Sequence, residues 1–222
     1  MSESKPMDAR GRLIEEIDAE MRATARWTGR PDLSPQVRAA LLAVRREMFV
    51  PAMSRGEAYE NHPLRIGLRQ TISQPFIVAL MTDLLDPALD HVVLEVGTGS
   101  GYQAAVLAAL VRHVHSIEVI PALSAQAATA LTQEGVGNVT LRIGDGATGW
   151  PDHAPYDGII VTAAGPTVPP ALVVQLRPGG RMVIPVGEPF GEQTLMLVSK
   201  TADGGVTHRD ILPVAFVPLT GG

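Results

Sequence analysis

The chain has 222 residues, 45% of them hydrophobic, a formal net charge of −5 and no cysteine. Such length and apolar content suit a folded α/β unit with its own core and exclude a disordered chain. The missing cysteines exclude disulfides, thiolate nucleophiles and cysteine metal sites, and the acidic balance argues against nucleic acid as the main partner. No apolar run reaches the roughly 18 residues of a membrane span, so no membrane partner is expected. Residues 1–12 are polar and lack the apolar core of a secretion signal, which points to a cytoplasmic protein.

In chain order, the N-terminal third reads as helical. Leu13, Ile14, Ile17 and Met21 recur at helical spacing. Ser34-Pro35 reads as an N-cap with proline in the first helical position, ahead of the stripe Val37, Ala40, Leu41 and Val44. From 49 to 74 the pattern breaks at Pro51, Gly56, Pro63 and Gly67, and a loop of that length in a compact unit is often functional. Ser73-Gln74-Pro75 then opens a helix with Phe76, Ile77, Leu80 and Leu84 on its apolar side.

After Asp90, strands and helices alternate. Strands are expected at 91–97, 113–119, 138–144, 157–163, 180–186, 194–200 and 210–217, and helices at 100–111, 121–134 and 169–176. The fold class is α/β, a seven-stranded mostly parallel Rossmann-like sheet with helices on both faces, preceded by N-terminal helices. The last two strands lack an intervening helix, so 202–205 should turn a hairpin. One domain over 1–222 is expected, with 1–33 as a helical extension.

The sharpest motif is Val92-Val93-Leu94-Glu95-Val96-Gly97-Thr98-Gly99-Ser100-Gly101-Tyr102-Gln103. An apolar strand runs into three alternate glycines and then a helix, a turn that lets a ligand press against bare backbone. The spacing is G-x-G-x-G and not the G-x-G-x-x-G of the dinucleotide fingerprint. It looks like the S-adenosylmethionine loop of class I methyltransferases. Glu95 lies within an apolar run, where a charge needs a cation or backbone donors, and a sulfonium cofactor with an amino group offers such partners. Glu118, about 20 positions on at a strand end, can accept both hydroxyls of a ribose, although by itself it does not separate NAD from S-adenosylmethionine. Asp145-Gly146 ends the next strand and suits an adenine amino group, or an ordinary turn. Ser73 is either a plain N-cap or a donor beside helix-start N–H groups that could cradle a carboxylate. The six histidines show no metal spacing, and no metal is expected.

From about residue 46 to 220 the chain resembles protein-L-isoaspartate O-methyltransferases. The selective block is Gln70-Thr71-Ile72-Ser73-Gln74-Pro75-Phe76-Ile77-Val78-Ala79, upstream of the glycine loop. Ser116-Ile117-Glu118, Gly144-Asp145-Gly146, the run 159–164, Ile184-Pro185-Val186-Gly187 and Phe216-Val217-Pro218-Leu219-Thr220 also match. The resemblance implies a methyl transfer from S-adenosyl-L-methionine to the free carboxylate of L-isoaspartyl, and more weakly D-aspartyl, residues of aged proteins. S-adenosyl-L-homocysteine is the other product. The ester then closes to a succinimide, whose hydrolysis returns some normal linkage. It further implies Ser73 as the active-site residue and Glu95, Gly97, Thr98, Gly99, Ser100, Gly101, Glu118, Asp145 and Gly146 as cofactor-binding. Gln70, Thr71, Ile72 and Thr220 are implied to bind substrate, and the last two strands to be swapped relative to the usual class I order. A monomer is expected. A class I methyltransferase for a different carboxylate or a small-molecule acceptor is the alternative. Three places depart from the family pattern: Arg65 for a proline, Leu68-Arg69 where a glycine precedes Gln70, and Ala147 for an aromatic residue.

Overall fold

The computed structural model describes residues 8–189 and 191–220, so the first seven residues of the N-terminal extension lie outside the described residues. The helix α1 (Ala9–Thr28) starts where Asp8 accepts from Gly11 N at 2.8 Å and ends at Gly29, whose φ of 68° suits a glycine. It buries Leu13, Ile14, Ile17 and Met21, the stripe anticipated from spacing. Helix α2 (Pro35–Ala43) follows Ser34, but the Ser34 hydroxyl makes no capping bond. The Ser34 backbone amide goes instead to Asp83 Oδ1 at 3.0 Å, so the expected side-chain cap is absent.

The segment expected as one long loop begins at the end of a 3₁₀ turn (Arg46–Phe49) and holds a second one (Ala52–Glu57) and a hairpin, β1 (Leu64–Gly67) and β2 (Gln70–Ile72). Its two-residue turn is Leu68-Arg69, with φ of 51° and 62°. Positive φ at both central residues is the type I′ pattern that Asn-Gly ordinarily fills, so the turn chemistry gave no warning of a hairpin. Helix α3 (Pro75–Leu85) follows.

The main sheet comprises β3 (Val92–Val96), β4 (His113–Glu118), β5 (Val139–Ile143), β6 (Tyr156–Val161), β7 (Leu176–Gly187), β8 (Gln193–Lys200) and β9 (Val206–Val214). Its order is β5-β4-β3-β6-β7-β8-β9, with β8 antiparallel to both neighbours and the other pairings parallel. The final two strands therefore lie in chain order, as the resemblance implied. Helices α4 (Tyr102–Ala108) and α5 (Pro121–Glu134) carry the chain outward from β3 to β5, and β6 then returns to the other side of β3. That reversal makes a crevice at the carboxyl ends of β3, β4 and β6.

Alternation along the strands sets two cores. Val93, Val114, Ile160 and Val183 face one side, packed with residues of α1 to α5. Leu94, Ile117, Ile159 and Met182 face the other, which is covered by the short α6 (Pro170–Gln175). The rest of that face is closed by Trp150, His153 and Tyr156 around His115, whose ring stacks on His153 at 3.9 Å. His115 is buried and His153 is exposed over it, so the pair serves packing at the edge of this face.

Candidate active site

The glycine turn is held from below. Gly97 N and Thr98 N both donate to Ile117 O, at 2.8 and 3.2 Å. Gly97 has φ of 93°, and a Cβ there would lie 2.4 Å from Thr162 Oγ1. Gly99 N donates to Glu118 Oε2 at 2.7 Å, and Ile120 N to Glu118 Oε1 at 3.0 Å. Both carboxylate oxygens are thus oriented at the pocket wall, and each keeps acceptor capacity for a hydroxyl. Gly97, Gly99, Glu118 and Gly146 line this first pocket with the apolar Val96, Ile117, Ile120, Leu123 and Leu219. Gly146 is there because a Cβ would meet Val96 Cγ1 at 2.3 Å. A carboxylate placed for a ribose diol, bare backbone at the turn and an apolar slot fit an adenosyl group with a charged tail.

Five expected cofactor contacts take other places. Gly101 lines neither the adenosyl slot nor the recess under the turn; a Cβ there would press on Ala127 of α5 at 3.2 Å, so it serves helix packing. Asp145 accepts from Ala147 N at 2.9 Å and caps a 3₁₀ turn, leaving Gly146 at the pocket. Thr98 and Ser100 line a smaller recess under the turn and not the adenosyl slot. Glu95 is 0% exposed and lines none of the pockets. Strand alternation turns it toward the α4 side, with Val93. There Ser116 Oγ donates to Glu95 Oε2, and Thr98 Oγ1 lies 2.6 Å from Ser116 Oγ. Since Ser116 has one hydroxyl proton, Thr98 is the donor to Ser116. Burial pushes the Glu95 carboxyl up to about 8, the charge of Glu118 adds to this, and Ser116 and the Ala104 amide oppose it. Glu95 is thereby a brace beneath the turn.

A second recess is lined by Ser73, Gln74, Ile77 and Phe216, and Ser73 also borders the small recess under the turn. Thr71 and Thr162 line all three, so they stand where the adenosyl slot opens toward Ser73. Gln70 and Thr220 face the adenosyl slot and Ile72 the small recess, so among the four expected substrate contacts Thr71 alone reaches the Ser73 recess. The Ser73 carbonyl accepts from Arg46 Nη2 at 3.0 Å. The helix-start cradle is smaller than expected. Pro75 has no N–H, and Phe76 N donates to Asn61 Oδ1 at 3.0 Å, so these positions offer a ligand nothing. Glu20 of α1 fixes the same corner by accepting from Asn61 Nδ2 at 2.9 Å and Gln74 Nε2 at 3.2 Å. The β1–β2 hairpin leans over the turn, with Ile66 Cδ1 3.7 Å from where a Gly99 Cβ would be.

Sequence reasoning assigned no role to Thr162, Leu219 or Arg46. Thr162 was findable, because it directly follows β6 and stands level with Glu118, the last residue of β4.

These features define an S-adenosylmethionine-dependent class I methyltransferase. The structure is similar to a solved protein-L-isoaspartate O-methyltransferase, with TM-score 0.80 and 27% identity over 93% of this chain and 66% of that one. It also shares its fold with a Plasmodium falciparum structure in complex with S-adenosyl-L-homocysteine, described as a putative protein-L-isoaspartate O-methyltransferase (TM-score 0.76, 20% identity, 93% and 98% covered). The family model described as Protein-L-isoaspartate(D-aspartate) O-methyltransferase (PCMT) matches residues 28–222, and the chain belongs to that family. Among curated relatives, protein-L-isoaspartate O-methyltransferase 2 of Syntrophobacter fumaroxidans is 56% identical, covering 96% of this chain and 87% of its own. The protein of the same name from a Polaromonas species is 57% identical, covering 94% and 99%.

Proposed function

We propose that this protein, as a single methyltransferase unit, transfers a methyl group from S-adenosyl-L-methionine to the free carboxylate of L-isoaspartyl and D-aspartyl residues in damaged proteins, and that Ser73 holds that carboxylate. The observation that carries the reading is the meeting of the Glu118 slot and the Ser73 recess at Thr71 and Thr162. Bound S-adenosylmethionine supplies an electrophilic methyl on a sulfonium; a carboxylate oxygen forms the new C–O bond in line, and the C–S electron pair stays on the neutral thioether of S-adenosyl-L-homocysteine. The acceptor is ionised at neutral pH, so the chain need provide no general base.

What the chain provides is alignment. Among the described residues the Ser73 hydroxyl has no hydrogen-bond partner, which leaves it available to donate to the acceptor carboxylate. Glu118 takes the ribose hydroxyls, while Gly97 and Gly99 allow close approach of the tail. Holding two reactants in near-attack geometry is worth about 7–11 kcal/mol in favourable cases. A normal aspartyl residue has its α-carboxyl in the peptide bond, so it presents no free carboxylate at that backbone position. The chain acts on peptide substrates as a monomer, away from nucleic acid and membrane; among the described residues no helix is long and apolar enough to cross a membrane.

The test uses two peptides differing only in one normal or isoaspartyl linkage, with labelled S-adenosylmethionine and base-labile methyl ester as readout. Ester on the isoaspartyl peptide alone is expected. Ser73→Ala should lower turnover by about 10-fold or more while S-adenosyl-L-homocysteine binds as before. Full turnover in that variant would remove Ser73 from its role, and label on neither peptide would favour another acceptor.

A further inference from the structure

Arg46 is fully buried, and nothing in the reaction as described uses it. It begins a 3₁₀ turn (Arg46–Phe49), and its guanidinium reaches Ala58 O through Nε at 2.9 Å and Ser73 O through Nη2 at 3.0 Å. Nη1 is buried without a partner. Both acceptors are neutral carbonyls, and among the described residues Arg46 makes no ion pair. Its Cζ lies 4.9 Å from the Tyr102 ring centroid, and Tyr102 lines the small recess that Ser73 shares. The neighbouring carboxylate, Glu47, is already engaged by Arg10 at 3.3 Å and by the Tyr59 hydroxyl. Burial lowers the Arg46 guanidinium only to about 10, so it is charged at neutral pH.

A buried cation with no counterion is costly, and the charge deficit sits directly behind the residue that faces the acceptor. We infer that Arg46 is a specificity-determining residue, its unpaired guanidinium one carbonyl behind Ser73 selecting an ionised carboxylate over the neutral amide in the acceptor recess. This rests on the acceptor reading above. The placement also suits the chemistry. Ser73 holds one carboxylate oxygen; a further donor on the attacking oxygen would weaken it as a nucleophile, whereas a cation behind the wall attracts the anion and leaves the attacking oxygen's lone pairs free. Because the carboxylate charge is being neutralised in the transition state, such a cation favours the bound acceptor more than the transition state. Its loss raises KM for the isoaspartyl peptide and leaves kcat unchanged or higher.

The experiment measures KM and kcat for an isoaspartyl peptide, and Ki for the same peptide with an isoasparaginyl residue, whose carboxamide is neutral. In Arg46→Met the ratio of Ki to KM should fall by roughly 10-fold, through KM alone, with the Kd of S-adenosyl-L-homocysteine unchanged. Arg46→Lys keeps the charge and loses the fork, and it should retain most of the preference. KM and Ki rising together, a fall in kcat at constant KM, or an unchanged ratio would each make Arg46 a structural tether only and overturn the inference. If Arg46→Met fails to bind S-adenosyl-L-homocysteine, Arg46→Lys decides: preference retained supports the inference, preference lost overturns it. Wild-type protein that fails to methylate the isoaspartyl peptide removes the acceptor reading itself, an outcome visible before any variant is made.

Discussion

Replacing Leu68-Arg69 by Asn-Gly should stabilise the hairpin above the glycine turn. Leu68 and Arg69 hold φ of 51° and 62°, the left-handed region, where a residue with a Cβ costs about 1–2 kcal/mol. Two such residues amount to about 2–4 kcal/mol of local strain, and glycine at position 69 returns about 0.5–1 of that as unfolded-state entropy. Leu68 is 52% exposed, so little packing is lost on replacing it. The net gain expected is about 1–2.5 kcal/mol, and in a chain of this length that is a rise of roughly 3–8 °C in Tm if the hairpin melts with the whole. Calorimetry measures the global part. Amide exchange along the Leu64–Ile72 and Arg65–Thr71 rungs measures any part confined to the hairpin. Slower exchange in those strands is expected even if Tm moves little. A double variant with the same Tm and equal or faster hairpin exchange would show that the turn stores no strain and would refute the reasoning.

Gly146→Ala places a methyl 2.3 Å from where Val96 Cγ1 sits, so the adenosyl slot must shift; overpacking costs about 1–3 kcal/mol, and calorimetric affinity for S-adenosyl-L-homocysteine should fall about 10-fold. Unchanged affinity would mean the slot wall yields freely. Glu95→Gln tests the brace through pH. The folded carboxyl is raised from 4.5 to about 8, so the fold binds the proton more tightly than the unfolded chain does. Its contribution is full below the unfolded value and is lost as pH rises through the folded one, whereas the glutamine variant carries no such titration. Urea midpoints should therefore drop more steeply for wild type than for Glu95→Gln between about pH 5 and 8, and parallel curves would refute the assignment.

Most of the sheet could be read in advance because its strands are apolar runs punctuated by glycine and proline, and five of the seven bounds fall within two residues of those expected. The misses have local causes. The β1–β2 hairpin was hidden because Leu68 and Arg69 are not turn residues, and β7 begins at Leu176, within the span expected as helix, because tertiary pairing with β6 overrides the glycines at 179 and 180. In the site, Glu118 and Gly146 were legible from their places at strand ends. Ser73 was legible only through the block around it, since locally it looks like any N-cap. Glu95, expected at the cofactor, lies buried on the α4 side of the sheet, because spacing shows that a charge is buried but not which way the strand turns it. Arg46 was invisible: a lone arginine in a broken stretch reads as solvated surface, and only its fully enclosed guanidinium marks it.

The bonds from Glu20 to Asn61 and Gln74 give α1 an importance that its distance from the glycine turn conceals. One carboxylate on a helix outside the region matched by the family model pins both flanks of the segment bearing Ser73. The N-terminal helix is therefore a strut of the proposed acceptor corner, separate in sequence from the residues that line the adenosyl slot. Trimming it would leave the adenosyl slot furnished but the acceptor corner loose, so damage at the chain's start would be felt as poor handling of peptides and not as failure to hold the methyl donor.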